Sequence, residues 1–208
     1  SVYGHESPDW FNDAKFGIFI HWGVYAVPGW GNVDPNESYA EWYWWSVNDP
    51  TNHAFQDYHL KTYGPDVVYD DFIANFTASA FSARDWVDLF AESGAQYFVQ
   101  VSKHHDGYAI FDIPAEITER TSVALAPHRD FIGELFAAAR EYQPHLHRAV
   151  YFSLPEWFHP DYKGLGFGSW PGGNATNPFT NETLPYAGYV PVDDFVADLI
   201  VPEMEILA

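Results

Sequence analysis

Two histidines and an aspartate stand side by side in "KHHDGY" (residues 103–108), directly after the apolar run "AQYFVQVS". Three chemistries suit such a group. Imidazoles and a carboxylate can ligate a metal ion, they can carry protons near neutral pH, and a neutral imidazole can donate and accept hydrogen bonds to hydroxyl groups. Zinc ligands usually come from helical i, i+4 pairs or alternating strand positions, and adjacent side chains point apart, so a metal site would need His21, His104 and His105 to converge from different segments. A Ser-His-Asp hydrolase has less support, because no G-x-S-x-G turn is present.

The hydroxyl-binding alternative draws on more of the chain. His21 closes "KFGIFI", Glu41 and Trp42 lie in "YAEWYWW", and Tyr151 lies in "RAVYFS". Imidazoles, a carboxylate and flat aromatic faces match a pyranose ring, which has a polar rim and an apolar C–H face. Aromatic residues make up 19% of the chain, and Trp30, Trp157 and Trp170 read as more than a core requires. Asp106 reads as a turn cap that bonds backbone N–H groups. Glu41 and Glu156 are the carboxylates placed to approach a glycosidic oxygen.

These residues need elements to position them. "KFGIFI" (15–20), "AQYFVQVS" (95–102) and "RAVYFS" (148–153) read as strands, each followed by polar and aromatic residues. "SARDWVDLFAES" (82–93) predicts a helix opened by Ser82 and Asp85, with Trp86, Leu89 and Phe90 on one face and Gly94 after it. "RDFIGELFAAAREY" (129–142) predicts a second helix with Phe131, Leu135 and Ala138 inward and Asp130 at the positive end of its dipole. The residues from the first strand to about 80 read as a long loop holding short helices, and 161–190 as a Gly, Pro and Asn-rich loop. "VDDFVADLIVPEMEILA" predicts a third helix, kinked near Pro202.

Strand, loop and helix recur three times, which calls for a parallel sheet with right-handed crossovers. The expected fold is α/β: about the first three βα units of a (β/α)8 barrel, in which polar residues beyond the strand ends build the active site. A doubly wound sheet is the alternative, but no glycine-rich nucleotide motif follows any strand. Residues 1–208 are therefore expected to form the N-terminal part of one catalytic domain, completed by the C-terminal remainder of the same polypeptide.

Composition removes other classes of partner. With nine Lys and Arg against 29 Asp and Glu, the formal charge is −20, which repels nucleic acid and anionic membrane surfaces. Cysteine is absent, so disulfides and thiolate metal sites are excluded. No apolar run reaches the roughly 18 residues of a membrane span. N-x-[S/T] sequons at Asn36, Asn75, Asn174 and Asn181 point to glycosylation and to a secreted or acidic, lysosome-like location.

Taken in order, "WFNDAKFGIFIHWGVYAVPGWG", "YAEWYWW", "FSARDWVDLFAESGAQYFVQVSKHHDGYAIF", "HRDFIGELFAAAR" and "AVYFSLPEWFHP" resemble the N-terminal half of the catalytic barrel of α-L-fucosidases, glycoside hydrolase family 29. The resemblance implies a retaining hydrolase of terminal α-L-fucose that uses no cofactor and acts on fucosylated oligosaccharides or glycoconjugates. It implies fucose contacts in the −1 subsite for His21, Glu41, Trp42, His104, His105 and Tyr151, and it puts the nucleophile aspartate and the acid/base downstream of residue 208. Phe111, Thr121 and Ser122 depart from the residues common in the family. A non-catalytic carbohydrate-binding segment is the alternative function, followed by a metal-dependent hydrolase built on His21, His104 and His105.

Overall fold

The computed structural model describes residues 7–34, 39–162 and 172–208. Asn36 and Trp170 lie outside the described residues. In chain order the elements are α1 (Asp9–Ala14), β1 (Gly17–Ile20), α2 (Tyr43–Asn48), α3 (His53–Thr62), α4 (Ala83–Glu92), β2 (Tyr97–Lys103), α5 (Phe131–Tyr142), β3 (His147–Phe152) and α6 (Val201–Leu207). Short 3-10 turns occupy Val24–Ala26, Ala40–Trp42 and Tyr69–Asn75, so the first long loop does carry short helices. The last predicted helix is broken where expected: Phe195–Ile200 is π-helical and passes into α6, whose first turn holds Pro202. A proline has no N–H to lose in a first turn, so it is accommodated there.

The three strands form one parallel sheet in the order β1-β2-β3. Gly17 pairs with Tyr97, and Tyr97 in turn with His147. A side chain at Gly17 would have its Cβ 2.2 Å from the Tyr97 ring, so glycine leaves room for that ring to lie over β1. Ser82 accepts the Asp85 N–H at 3.3 Å and Asp130 accepts the Gly133 N–H at 2.8 Å, capping α4 and α5 as read from the sequence.

The inward face of α5 is as predicted: Phe131, Leu135 and Ala138 are buried. That of α4 differs. Val87 and Phe90 are buried while Leu89 is 61% exposed, because α4 turns Val87 and Phe90 toward β2 and α5, which leaves Leu89 facing outward.

Among the described residues the buried apolar side chains form three clusters, the smallest of them Tyr162, Phe195, Leu199 and Ile200. Of the other two, the smaller joins sheet to helices, with Val87, Phe90, Phe98, Leu135, Ala139 and Leu146. The larger lies beyond the strand C-termini, where Tyr43, Trp44, Phe55, Tyr69 and Phe72 of the first long loop pack with Tyr108, Ile110, Phe131 and Trp157. This accounts for two of the three tryptophans read as surplus. Trp157 is fully buried, and Trp30 stacks on Tyr58 at 4.2 Å, so Trp157 offers no open face for a sugar and one face of Trp30 is covered.

Candidate functional site

The strand ends bring the expected rings together. His21 follows β1, Tyr151 lies in β3 opposite Val101, and His104 and His105 follow β2. Ring centroids are 5.6 Å apart for His21–His104, 6.2 Å for His21–Tyr151 and for His104–Tyr151, and 4.7 Å for His104–His105. Trp42, from the 3-10 turn, comes to 5.9 Å from His105 and 5.2 Å from Trp157. His21 is exposed, Tyr151 and Trp42 are half-buried, and His104 and His105 are buried. The rings form a patch that is exposed at His21 and buried at Trp157.

Glu41 is half-buried in the 3-10 turn that also holds Trp42. Its charge is felt by Tyr25, whose hydroxyl pKa is raised by burial, then by Asp106 and then by Glu41. Tyr25 itself packs 5.9 Å from His104.

Burial, followed by the neighbouring His105 and His21, lowers the His104 pKa to about 2, so this ring is neutral under all ordinary conditions. Its Nδ1 is buried and has no hydrogen-bond partner among the described residues. Burial also lowers the pKa of His105. The His105 Nδ1–H donates to the Pro155 carbonyl at 3.0 Å, which makes Nε2 the acceptor nitrogen of the neutral ring. The pair is therefore built for hydrogen bonding, and nothing in it supplies a proton near neutral pH. Among the described residues, no three His, Asp or Glu side chains come together in a way that could hold a metal ion.

Asp106 faces away from the patch. It is 2% exposed; one oxygen accepts the Tyr69 hydroxyl at 2.7 Å and the other the Tyr108 N–H at 3.3 Å. Burial pushes its carboxyl up to about 6, with Arg120 pulling the other way. Arg120 is fully buried. It forks onto Asp70 at 2.9 and 2.7 Å and donates to the Asp106 carbonyl at 3.0 Å, fastening the first loop beneath the histidine turn.

Glu156 does not approach a glycosidic oxygen. It is 2% exposed and accepts Lys103 Nζ at 2.7 Å and the Tyr186 hydroxyl at 2.6 Å. Burial alone would raise its carboxyl pKa, but Lys103, His159 and Tyr186 outweigh burial and bring it to about 2. Sequence reading missed Lys103 and the buried Glu203 that also holds it. The signal available was a lysine closing an apolar strand, where an unpaired charge would be costly.

Asn75, Asn174 and Asn181 are exposed, so all three described sequons are open to solvent.

The fold and the patch together define an α/β protein whose polar and aromatic site sits beyond the C-terminal ends of parallel strands. The family model described as alpha-L-fucosidase matches residues 1–184. Tissue alpha-L-fucosidase of Bos taurus is 39% identical over 197 residues, which is 93% of this chain and 38% of the bovine one. Alpha-L-fucosidase of Dictyostelium discoideum is 41% identical over 157 residues, 74% of this chain and 32% of its own. Thermotoga maritima alpha-fucosidase, solved in complex with fucose, superposes with a TM-score of 0.69 at 41% identity, over 76% of this chain and 37% of that one. The chain belongs to the alpha-L-fucosidase family. It spans about a third of the length of the curated relatives it matches.

Proposed function

We propose that this chain supplies the fucose-holding part of a retaining α-L-fucosidase, as about the first three units of a (β/α)8 barrel. The observation that carries the reading is the ring patch of His21, His104, His105 and Tyr151 from three successive strands, with Trp42 of the first loop beside it, in a family with a member solved around fucose. Neutral imidazoles and the Tyr151 hydroxyl hydrogen-bond the sugar hydroxyls, Glu41 accepts from one at the side, and Trp42 covers the apolar ring face. These contacts orient the glycone for attack at its anomeric carbon and exclude water from its far face.

Retention needs two carboxyl groups about 5–5.5 Å apart, one as nucleophile and one as acid then base. The family resemblance assigns this pair to polypeptide beyond residue 208, and Asp106 and Glu156 are both engaged in other buried bonds. The substrate is a fucosylated oligosaccharide or glycoconjugate. Secretion or an acidic, lysosome-like compartment, with glycans at Asn36, Asn75, Asn174 and Asn181, completes the proposal.

The test uses the full-length polypeptide and 4-nitrophenyl α-L-fucoside. Hydrolysis is expected to release α-fucose first, seen by NMR before mutarotation. His104→Ala and His105→Ala are each expected to raise the L-fucose inhibition constant about tenfold or more. An untouched fucoside, or β-fucose as first product, sinks the reading.

A further inference from the structure

The histidine turn is tied to the loop after β3 by a set of bonds running in step. Ser153 N–H donates to the Lys103 carbonyl at 3.0 Å, and Trp157 N–H to the His105 carbonyl at 2.9 Å. Between them, His105 Nδ1–H donates to the Pro155 carbonyl at 3.0 Å and Lys103 Nζ to Glu156 at 2.7 Å. Residues 103–105 and 153–157 are thus laced together, with backbone and side-chain ties on both sides of the two histidines.

Lys103 reaches further than this lacing. Its ammonium also donates to Glu203 at 2.5 Å, on α6, and lies 4.5 Å from the Phe152 ring centre. Lys103, Glu156 and Glu203 are each at most 2% exposed. Burial disfavours the charge on Lys103, yet its two carboxylates outweigh that and raise its pKa. Between the two acids, burial pushes Glu203 up to about 7, while Glu156 lies at about 2. Lys103 thus holds Glu156 ionised, while burial favours the protonated form of Glu203.

A cluster of this kind is a weak source of net stability, since desolvating charges offsets most of their attraction, but removing one member leaves the others buried and unpaired. Its lasting effect is on geometry. We propose that Lys103 is a positioning residue: held between Glu156 and Glu203, it fixes the 153–157 segment against the histidine turn and so sets the direction in which His104 and His105 face the sugar. It also ties α6 to that turn. The role rests on the fucose-holding reading of the patch.

Lys103→Met, Glu156→Gln and Glu203→Gln in the full-length polypeptide test it, by the L-fucose inhibition constant, kcat, KM and the thermal midpoint. A purely structural cluster lowers the midpoint and the active fraction, but the surviving molecules keep their inhibition constant. A positioning cluster changes the constant itself. The expected rise is about tenfold for Lys103→Met and Glu156→Gln and about threefold for Glu203→Gln, with KM rising in parallel. Should Lys103→Met give no active protein, the two isosteric Gln variants carry the test. Inhibition constants within twofold of wild type in the active variants overturn the proposal. A wild type that neither cleaves the fucoside nor binds fucose overturns the parent reading, which is a separate result.

Discussion

His104 is the residue that best shows how this site works. Its pKa is lowered in the folded chain, so the folded state resists the proton that the unfolded state accepts below about pH 6.5. The stability this contributes is fully present above that pH and is lost as pH falls below it. Thermal midpoints measured between pH 6.5 and 4.5 should therefore drop more steeply for wild type than for His104→Gln, and the His104 ring should keep the NMR signature of a neutral imidazole at pH 4. Equal slopes, or a protonated ring at pH 4, would refute the assignment. That these rings would gather was legible in the sequence, because His21, His104, His105 and Tyr151 fall in or just after predicted strands. The fate of Glu156 was not. A carboxylate after a strand looks the same whether it faces a pocket or a buried lysine, and the partner Lys103 is 53 positions away.

At the scale of elements, caps and turns divide by how replaceable they are. Asp130 caps α5 with one hydrogen bond, so Asp130→Ala should cost about 1 kcal/mol, read by denaturant unfolding. Gly107 adopts φ +73°, and a Cβ there would lie 1.8 Å from the Tyr186 hydroxyl and 2.6 Å from Glu156 Oε2. Gly107→Ala should therefore cost at least about 2 kcal/mol through strain and collision, and it should disturb fucose inhibition where Asp130→Ala does not. The helices α4 and α5 and all three strands were legible because local pattern and packing agree. Leu89 was misread because helical periodicity gives a face but cannot say where that face ends. The π-helical turn before Pro202 has no sequence signature beyond the proline itself.

At the scale of the molecule, the sheet has two free edges among the described residues, since β1 and β3 each pair on one side only. Phe16, Phe19, Leu154 and Met204 are 48%, 52%, 45% and 47% exposed. Residues 1–208 produced alone should accordingly bind an apolar dye and self-associate, and the full-length polypeptide should do neither. A monomeric, dye-silent 1–208 fragment would contradict the expectation that further strands cover these edges. The parallel order of the sheet was legible from the repeat of strand, loop and helix. What could not be read was the division of the core: Trp30 and Trp157, surplus to a core by the sequence, belong to a ring-packed mass beyond the strand ends. That mass lies directly behind the histidines, so the walls of the site are immobilised when the chain folds. On the fucose-holding proposal, the sugar would meet a surface with few rotamers left to freeze, and its small number of hydrogen bonds would contribute to affinity instead of to ordering the protein.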